Sequence, residues 1–182
     1  MVWPVTEAER ESQLDQLLQK YRALATRSKS EGRLVLNHVC VRVENMDAAA
    51  ALLEDSFGLP EFLAPGGETF EGEQEYRVAW LDEHDLYLEL SQYDSEQQIG
   101  YDTGAGQPIG HLSEMGFFVP DMDSALSDLE TKGWQVQSEI QTSGARMMKL
   151  YNLRVPGLPV ELIDLEDPAD LNFLDDKQDP SG

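Results

Sequence analysis

Two stretches, HVCVRVENMDAAAALLE at residues 38–54 and EMGFFVPDMDSALSDLE at residues 114–130, align without a gap. Six of the 17 columns are identical: Val43 with Val119, Met46 with Met122, Asp47 with Asp123, Ala49 with Ala125, Leu53 with Leu129, and Glu54 with Glu130. Unrelated segments would share roughly one, at ordinary residue frequencies of about 5 to 8%. Each stretch opens as an apolar strand and turns into an amphipathic helix, so the chain carries an internal repeat of at least this unit. Both copies continue in the same way. In the first, a helix over residues 47–56 is closed by Gly58 and Pro60, and strands follow near 61–65, 76–82 and 86–92. In the second, a helix over residues 123–132 is closed by Gly133, and strands follow near 134–141, 146–151 and 158–164. Each copy reads as βαβββ, and the chain as an α+β protein whose two tandem modules form one curved mixed sheet around a cleft.

Five segments follow from this reading: an N-terminal amphipathic helix with a linker at 1–33, the first module at 34–92, a connector at 93–110, the second module at 111–165, and an acidic tail at 166–182. The helix is expected over residues 6–28. Thr6 with Glu9 suits a capping box, and Leu14, Leu17, Leu18, Tyr21 and Leu24 recur at helical spacing. That apolar stripe must pack either on the domain or on a second chain, which makes the helix a candidate dimerisation element. SKSEGR, residues 28–33, reads as linker, and the tail as partly disordered or draped over the surface.

The charge narrows the partners. Thirty-five acidic against 13 basic side chains give −22, and the body beyond residue 33 carries −23. Such a surface repels nucleic acid and anionic membranes, and is either plain solvation or a device for recruiting cations. No basic segment followed by an apolar one opens the sequence, and no apolar run approaches 18 residues, so a cytoplasmic protein is expected. Cys40 is the only cysteine, which excludes an internal disulfide and a thiolate cluster, and its ordinary role is that of a small buried side chain.

Side chains alternate across a strand, and the leucines of LYLEL (Leu86, Leu88, Leu90) belong under the helices. Tyr87, Glu89 and Ser91 then face the concave side. The same rule sends His38, Cys40 and Arg42 there from the first strand, Glu114, Gly116 and Phe118 from its repeat, and Glu161 from LPVELI. His38 and Glu89 lie 51 residues apart, Glu114 and Glu161 47, so each pair joins a module's first strand to its last. One imidazole and three carboxylates compose a candidate site for a divalent cation with open positions, the carboxylates favouring Mn, Mg or Fe(II) over structural zinc. The other reading is a structural histidine among acids that raise one another's pKa until a cation, Arg42 or distance relieves them.

At this point the sequence resembles the vicinal oxygen chelate superfamily, which includes glyoxalase I, methylmalonyl-CoA epimerase, extradiol dioxygenases, fosfomycin-resistance enzymes and metal-free bleomycin-binding proteins. The resemblance covers residues 34–165 and is carried by HVCVRVENMDAAAALLEDSFGLPEF, VAWLDEHDLYLEL, FFVPDMDSALSDLETKGW and ARMMKLYNLRVPGLPVELID. It implies a glyoxalase-like fold and places the metal ligands of the glyoxalase and epimerase branch at His38, Glu89, Glu114 and Glu161. It further implies a lyase or isomerase using one Mn, Fe, Ni, Mg or Zn ion on a small vicinal-oxygen substrate through a metal-stabilised enediolate. Glu161 first and Glu89 second would be the proton shuttle, with Arg42, Tyr87 and Phe118 at the substrate. Those enzymes usually carry histidine where Glu114 stands, so either Glu114 is a ligand or a bulge lets His111 reach inward. The alternatives are a metal-free protein that traps an apolar or cationic guest against Phe118, Tyr87 and Trp80, and an extradiol dioxygenase, whose iron normally takes two histidines.

Overall fold

The computed structural model describes residues 7–64, 73–81, 84–93, 112–142 and 144–169. In chain order the elements are α1 (Glu7–Glu31), β1 (Val35–Val43), α2 (Met46–Phe57), β2 (Glu73–Leu81), β3 (Leu86–Tyr93), β4 (Leu112–Phe118), α3 (Met122–Thr131), β5 (Trp134–Gln141), β6 (Ala145–Asn152) and β7 (Val155–Leu165). The strands form one sheet in the order β2-β3-β1-β4-β7-β6-β5. The connector and most of the tail lie outside the described residues. Among the described residues, no helix is long and apolar enough to cross a membrane.

The repeat is visible as a pseudo-twofold between β1 and β4, which pair antiparallel at the sheet centre. Each then pairs in parallel with the last strand of its own module: Cys40 lies opposite Glu89, and Gly116 opposite Glu161. The matching positions of the repeat have physical reasons. Asn45 and Asp121 cap α2 and α3 by accepting from the backbone N–H of Ala48 and Ser124. Met46 and Met122 are buried, and their N–H groups donate to Gln92 and Asp164 on the last strands. Asp47 and Asp123, in the first helical turns, each hold an arginine, Arg77 at 2.7 Å and Arg146 at 2.6 Å. These two arginines, which sequence alone leaves free to form a basic rim, are tied to the helix starts instead.

One expected strand is reduced. Of the residues expected there, the described 61–64 contribute a single bridge, Leu63 to Val78, and the N–H of Phe62 donates to the Glu54 side chain instead of to a ladder. Helices α2 and α3 cover the convex face through Met46, Ala50 and Leu90 in one module and Met122, Leu150 and Leu162 in the other.

The concave face is covered by α1. Leu17, Leu24 and Ala25 pack on Val78, Trp80, Tyr87, Phe118 and Ile163, with Tyr21 set edge-on to Phe118 at 4.7 Å. Of the two destinations open to its apolar stripe, the helix takes its own domain. It also runs to Glu31 rather than stopping at Ser28, because its last turn finds partners on the sheet. Ser28 Oγ donates to the carbonyls of Arg33 and Phe118, and Lys29 Nζ reaches the Pro120 carbonyl and Asp164. Gly32, at φ 62°, ends the helix in the left-handed conformation that glycine tolerates best.

Candidate metal centre

The strand register builds the site. One cross-strand row runs Trp80, Tyr87, His38, Gly116, Glu161, Lys149, and the next runs Val78, Glu89, Cys40, Glu114. Alternation then brings the polar members of both rows to the concave side. His38, Glu89 and Glu114 each offer a ligand atom within 4.8 Å of the others. Glu161 Oε2 lies 3.4 Å from His38 Nε2. Three of the four residues singled out from the sequence therefore form one group, and Glu161 adjoins it through His38.

Two register slips shape this cluster. Between Leu36 opposite Phe117 and His38 opposite Gly116, β1 carries Asn37 as an extra residue, so Val35 and His38 both face the concave side. Asn37 is fully buried, and its amide oxygen and nitrogen have no hydrogen-bond partner among the described residues. In β4, Cys40 pairs with Glu114 and Val41 with Leu112, which makes Ser113 an extra residue. Glu114 stands in the cluster, whereas His111 lies outside the described residues.

Gly116 gives the imidazole its place. A Cβ built on Gly116 would collide with the Cε1 and Nδ1 atoms of His38 and come within 2.6 Å of Asn37 Oδ1. The His38 ring thus fills the space that any side chain at 116 would need. Gly116→Ala is expected to push the ring out of the cluster and to weaken divalent-ion binding about tenfold, in the range seen when the support of a metal ligand is lost. Titration calorimetry with Mn²⁺ checks this, and unchanged affinity would refute it.

The cluster is nearly dry. His38, Glu114 and Glu161 are 4%, 3% and 6% exposed, and Glu89 is half-buried. Burial lowers the His38 pKa to about 4; Glu114 opposes this and Lys149 reinforces it, so the ring is neutral at pH 7. His38 Nε2 is buried and has no hydrogen-bond partner among the described residues. A neutral imidazole with an unbonded nitrogen facing carboxylates is a donor set that a hard divalent ion fits.

Sequence alone leaves Lys149, like Arg42, Arg77 and Arg146, free to form a basic lip and does not pair it with Glu114. Its Nζ lies 2.8 Å from Glu114 Oε2, and both side chains are 4% exposed. The signal was present in RMMKLY, where Met148 and Leu150 pack under α3 and alternation turns Lys149 towards Glu161. Arg42, also buried, lies one row further along β1, opposite Ser91. Tyr87 and Phe118 line the same face but lie under α1, with the Tyr87 hydroxyl donating to the Leu17 carbonyl at 3.0 Å. Tyr21 comes down between them from α1. Burial, with Glu161 as the next contribution, raises its phenol pKa well above the ordinary value.

Comparison with known proteins agrees with this architecture. Residues 37–151 match the family model of the Glyoxalase/Bleomycin resistance protein/Dioxygenase superfamily. No curated protein sequence matches the chain. Among solved structures, methylmalonyl-CoA epimerase from Mycobacterium tuberculosis is similar over 71% of this chain and 87% of its own, at 16% identity and a TM-score of 0.52. A hypothetical protein from Bacillus halodurans C-125 is similar over 72% and 94%, at 18% identity and 0.52. A variant of the Streptomyces coelicolor methylmalonyl-CoA epimerase, in complex with 2-nitronate-propionyl-CoA, is similar over 72% and 96%, at 16% identity and 0.52. At such identities the likeness is one of fold. With two βαβββ-type modules joined through their first strands, a concave polar cluster, and a family match over most of the repeat, the chain belongs to the Glyoxalase/Bleomycin resistance protein/Dioxygenase superfamily, also called the vicinal oxygen chelate superfamily.

Proposed function

We propose that this protein is a divalent-metal-dependent isomerase or lyase that moves a carbon-bound proton on a small substrate with vicinal oxygens. The observation that carries the reading is the grouping of His38, Glu89 and Glu114, with ligand atoms within 4.8 Å of one another, and of Glu161 3.4 Å from a His38 Nε2 that has no hydrogen-bond partner among the described residues. His38, Glu89, Glu114 and Glu161 would hold the ion. Bound there, a divalent ion supplies Lewis-acid polarisation of the substrate's oxygens, which acidifies the neighbouring C–H.

The chain's own groups do the rest. Glu161, beside His38, takes and returns the proton, and Glu89, its pseudo-twofold counterpart, does so on the opposite side. Burial keeps bulk water from competing for that proton. Arg42 supplies positive charge near an anionic end of the substrate. The cover of α1 over the concave face and the −23 charge of the body both favour a small substrate over a long polyanionic one.

The reading is tested by metal analysis of protein purified without chelator, followed by proton NMR of small 2-oxo and 2-hydroxy acids in D₂O. About one ion per chain and metal-dependent exchange of the substrate C–H are expected. Glu161→Gln should retain the ion and slow exchange by about 100-fold or more, the usual contribution of a positioned general base. Indifference to Mn, Fe, Ni, Mg and Zn would overturn the reading in favour of a metal-free binding protein. One observation favours that second reading: Glu114 already has a cation in Lys149.

A further inference from the structure

The pseudo-twofold relates Glu114 to His38, and Glu161 to Glu89. It also relates the strand neighbour of Glu161, which is Lys149, to that of Glu89, which is Val78. The first module thus presents a neutral imidazole and an apolar side chain. The second presents a carboxylate and an ammonium at the matching places. Each pair sums to zero charge, so the acid that replaces an imidazole comes with its own base.

A buried lysine is a costly way to fill space, since an ammonium loses its hydration and a methionine of similar length would not. Lys149 nevertheless lies on the polar side of β6, flanked by Met148 and Leu150 on the apolar side, with its Nζ 2.8 Å from Oε2 of Glu114, one of the three grouped ligand residues.

We propose that Lys149 is a tethered competitor of the divalent ion: its ammonium occupies Glu114 before the ion arrives and, by like-charge repulsion afterwards, sets how tightly the ion is held. This rests on the reading of the cluster as a divalent-cation site. Lys149 is then a positioning and affinity-determining residue that acts through Glu114. It keeps the buried acid compensated in the metal-free protein, and it makes the metal exchangeable.

The test is calorimetric titration of the full chain with MnCl₂, together with the shift in melting temperature on adding Mn²⁺. Lys149→Met should bind Mn²⁺ at least tenfold more tightly than the wild type, a change of about 1.4 kcal/mol. Its melting temperature should also rise more on adding the ion. Lys149→Arg, which keeps the charge, should stay within about threefold of the wild type, well under the 1.4 kcal/mol of a tenfold change. Binding by Lys149→Met alone, with none by the wild type, supports the competition but overturns metal dependence of the natural chain. Equal or weaker binding by Lys149→Met, or an equal gain in Lys149→Arg, overturns this inference while leaving the metal reading intact. Failure of all three proteins to bind Mn²⁺ removes both. If Lys149→Met does not fold, Lys149→Gln, which can still donate to Glu114, stands in with the same outcomes.

Discussion

Glu114→Ala should destabilise the metal-free protein by about 3 to 5 kcal/mol, because it removes the carboxylate that lies 2.8 Å from a Lys149 side chain only 4% exposed. In water the two charges would contribute little to each other, but here neither has solvent to fall back on. Urea titration with EDTA present checks the figure. The double variant Glu114→Ala with Lys149→Met should recover much of the loss, since removing both partners of a buried pair is far cheaper than removing one. The same Glu114→Ala change should lower Mn²⁺ affinity by about 100-fold or more, at least the upper end of what losing an outer partner of a ligand costs. A stability loss without an affinity loss would mean that Glu114 serves Lys149 alone.

The second large effect belongs to α1. Leu17→Ala combined with Leu24→Ala removes two buried side chains from the contact with Val78, Trp80, Tyr87 and Phe118. Each deletion of this kind costs about 2 to 5 kcal/mol, so the pair should remove about 5 kcal/mol or more. That is comparable to the whole stability of many domains. Chemical denaturation should show the midpoint falling accordingly, with Trp80 fluorescence shifting to the red as the concave face wets. A loss under about 1 kcal/mol would show that α1 merely rests on the sheet.

Much of this was legible in the chain. The repeat between residues 38–54 and 114–130 marks the two modules, and strand alternation suffices to turn His38, Glu89, Glu114 and Glu161 to one side. What escaped the pattern has identifiable causes. A bulge leaves no mark on composition, so the extra residue Asn37, which puts Val35 and His38 on the same face, could not be seen in LVLNHVCV. Lys149 obeyed the alternation rule, but sequence offers it only as part of a basic lip with Arg42, Arg77 and Arg146, and its pairing with Glu114 needs the strand neighbours to be known. The destination of α1 was undetermined because amphipathicity shows that a helix has an apolar partner without saying which one. The strand expected at 61–65 is reduced over its described residues to one bridge because the Phe62 N–H is taken by the Glu54 side chain, a tertiary contact that no local pattern shows.

The last turn of α1 sits astride the seam between the modules. Arg27 reaches Asp85, in the first module, at 2.8 Å, while Lys29 reaches the Pro120 carbonyl and Asp164 in the second. One helical turn therefore works as a clasp across a jaw. Any opening of the two halves about β1 and β4 must loosen one of these grips, and since the Arg27 grip is exposed to solvent, added salt should ease that opening from the first module's side.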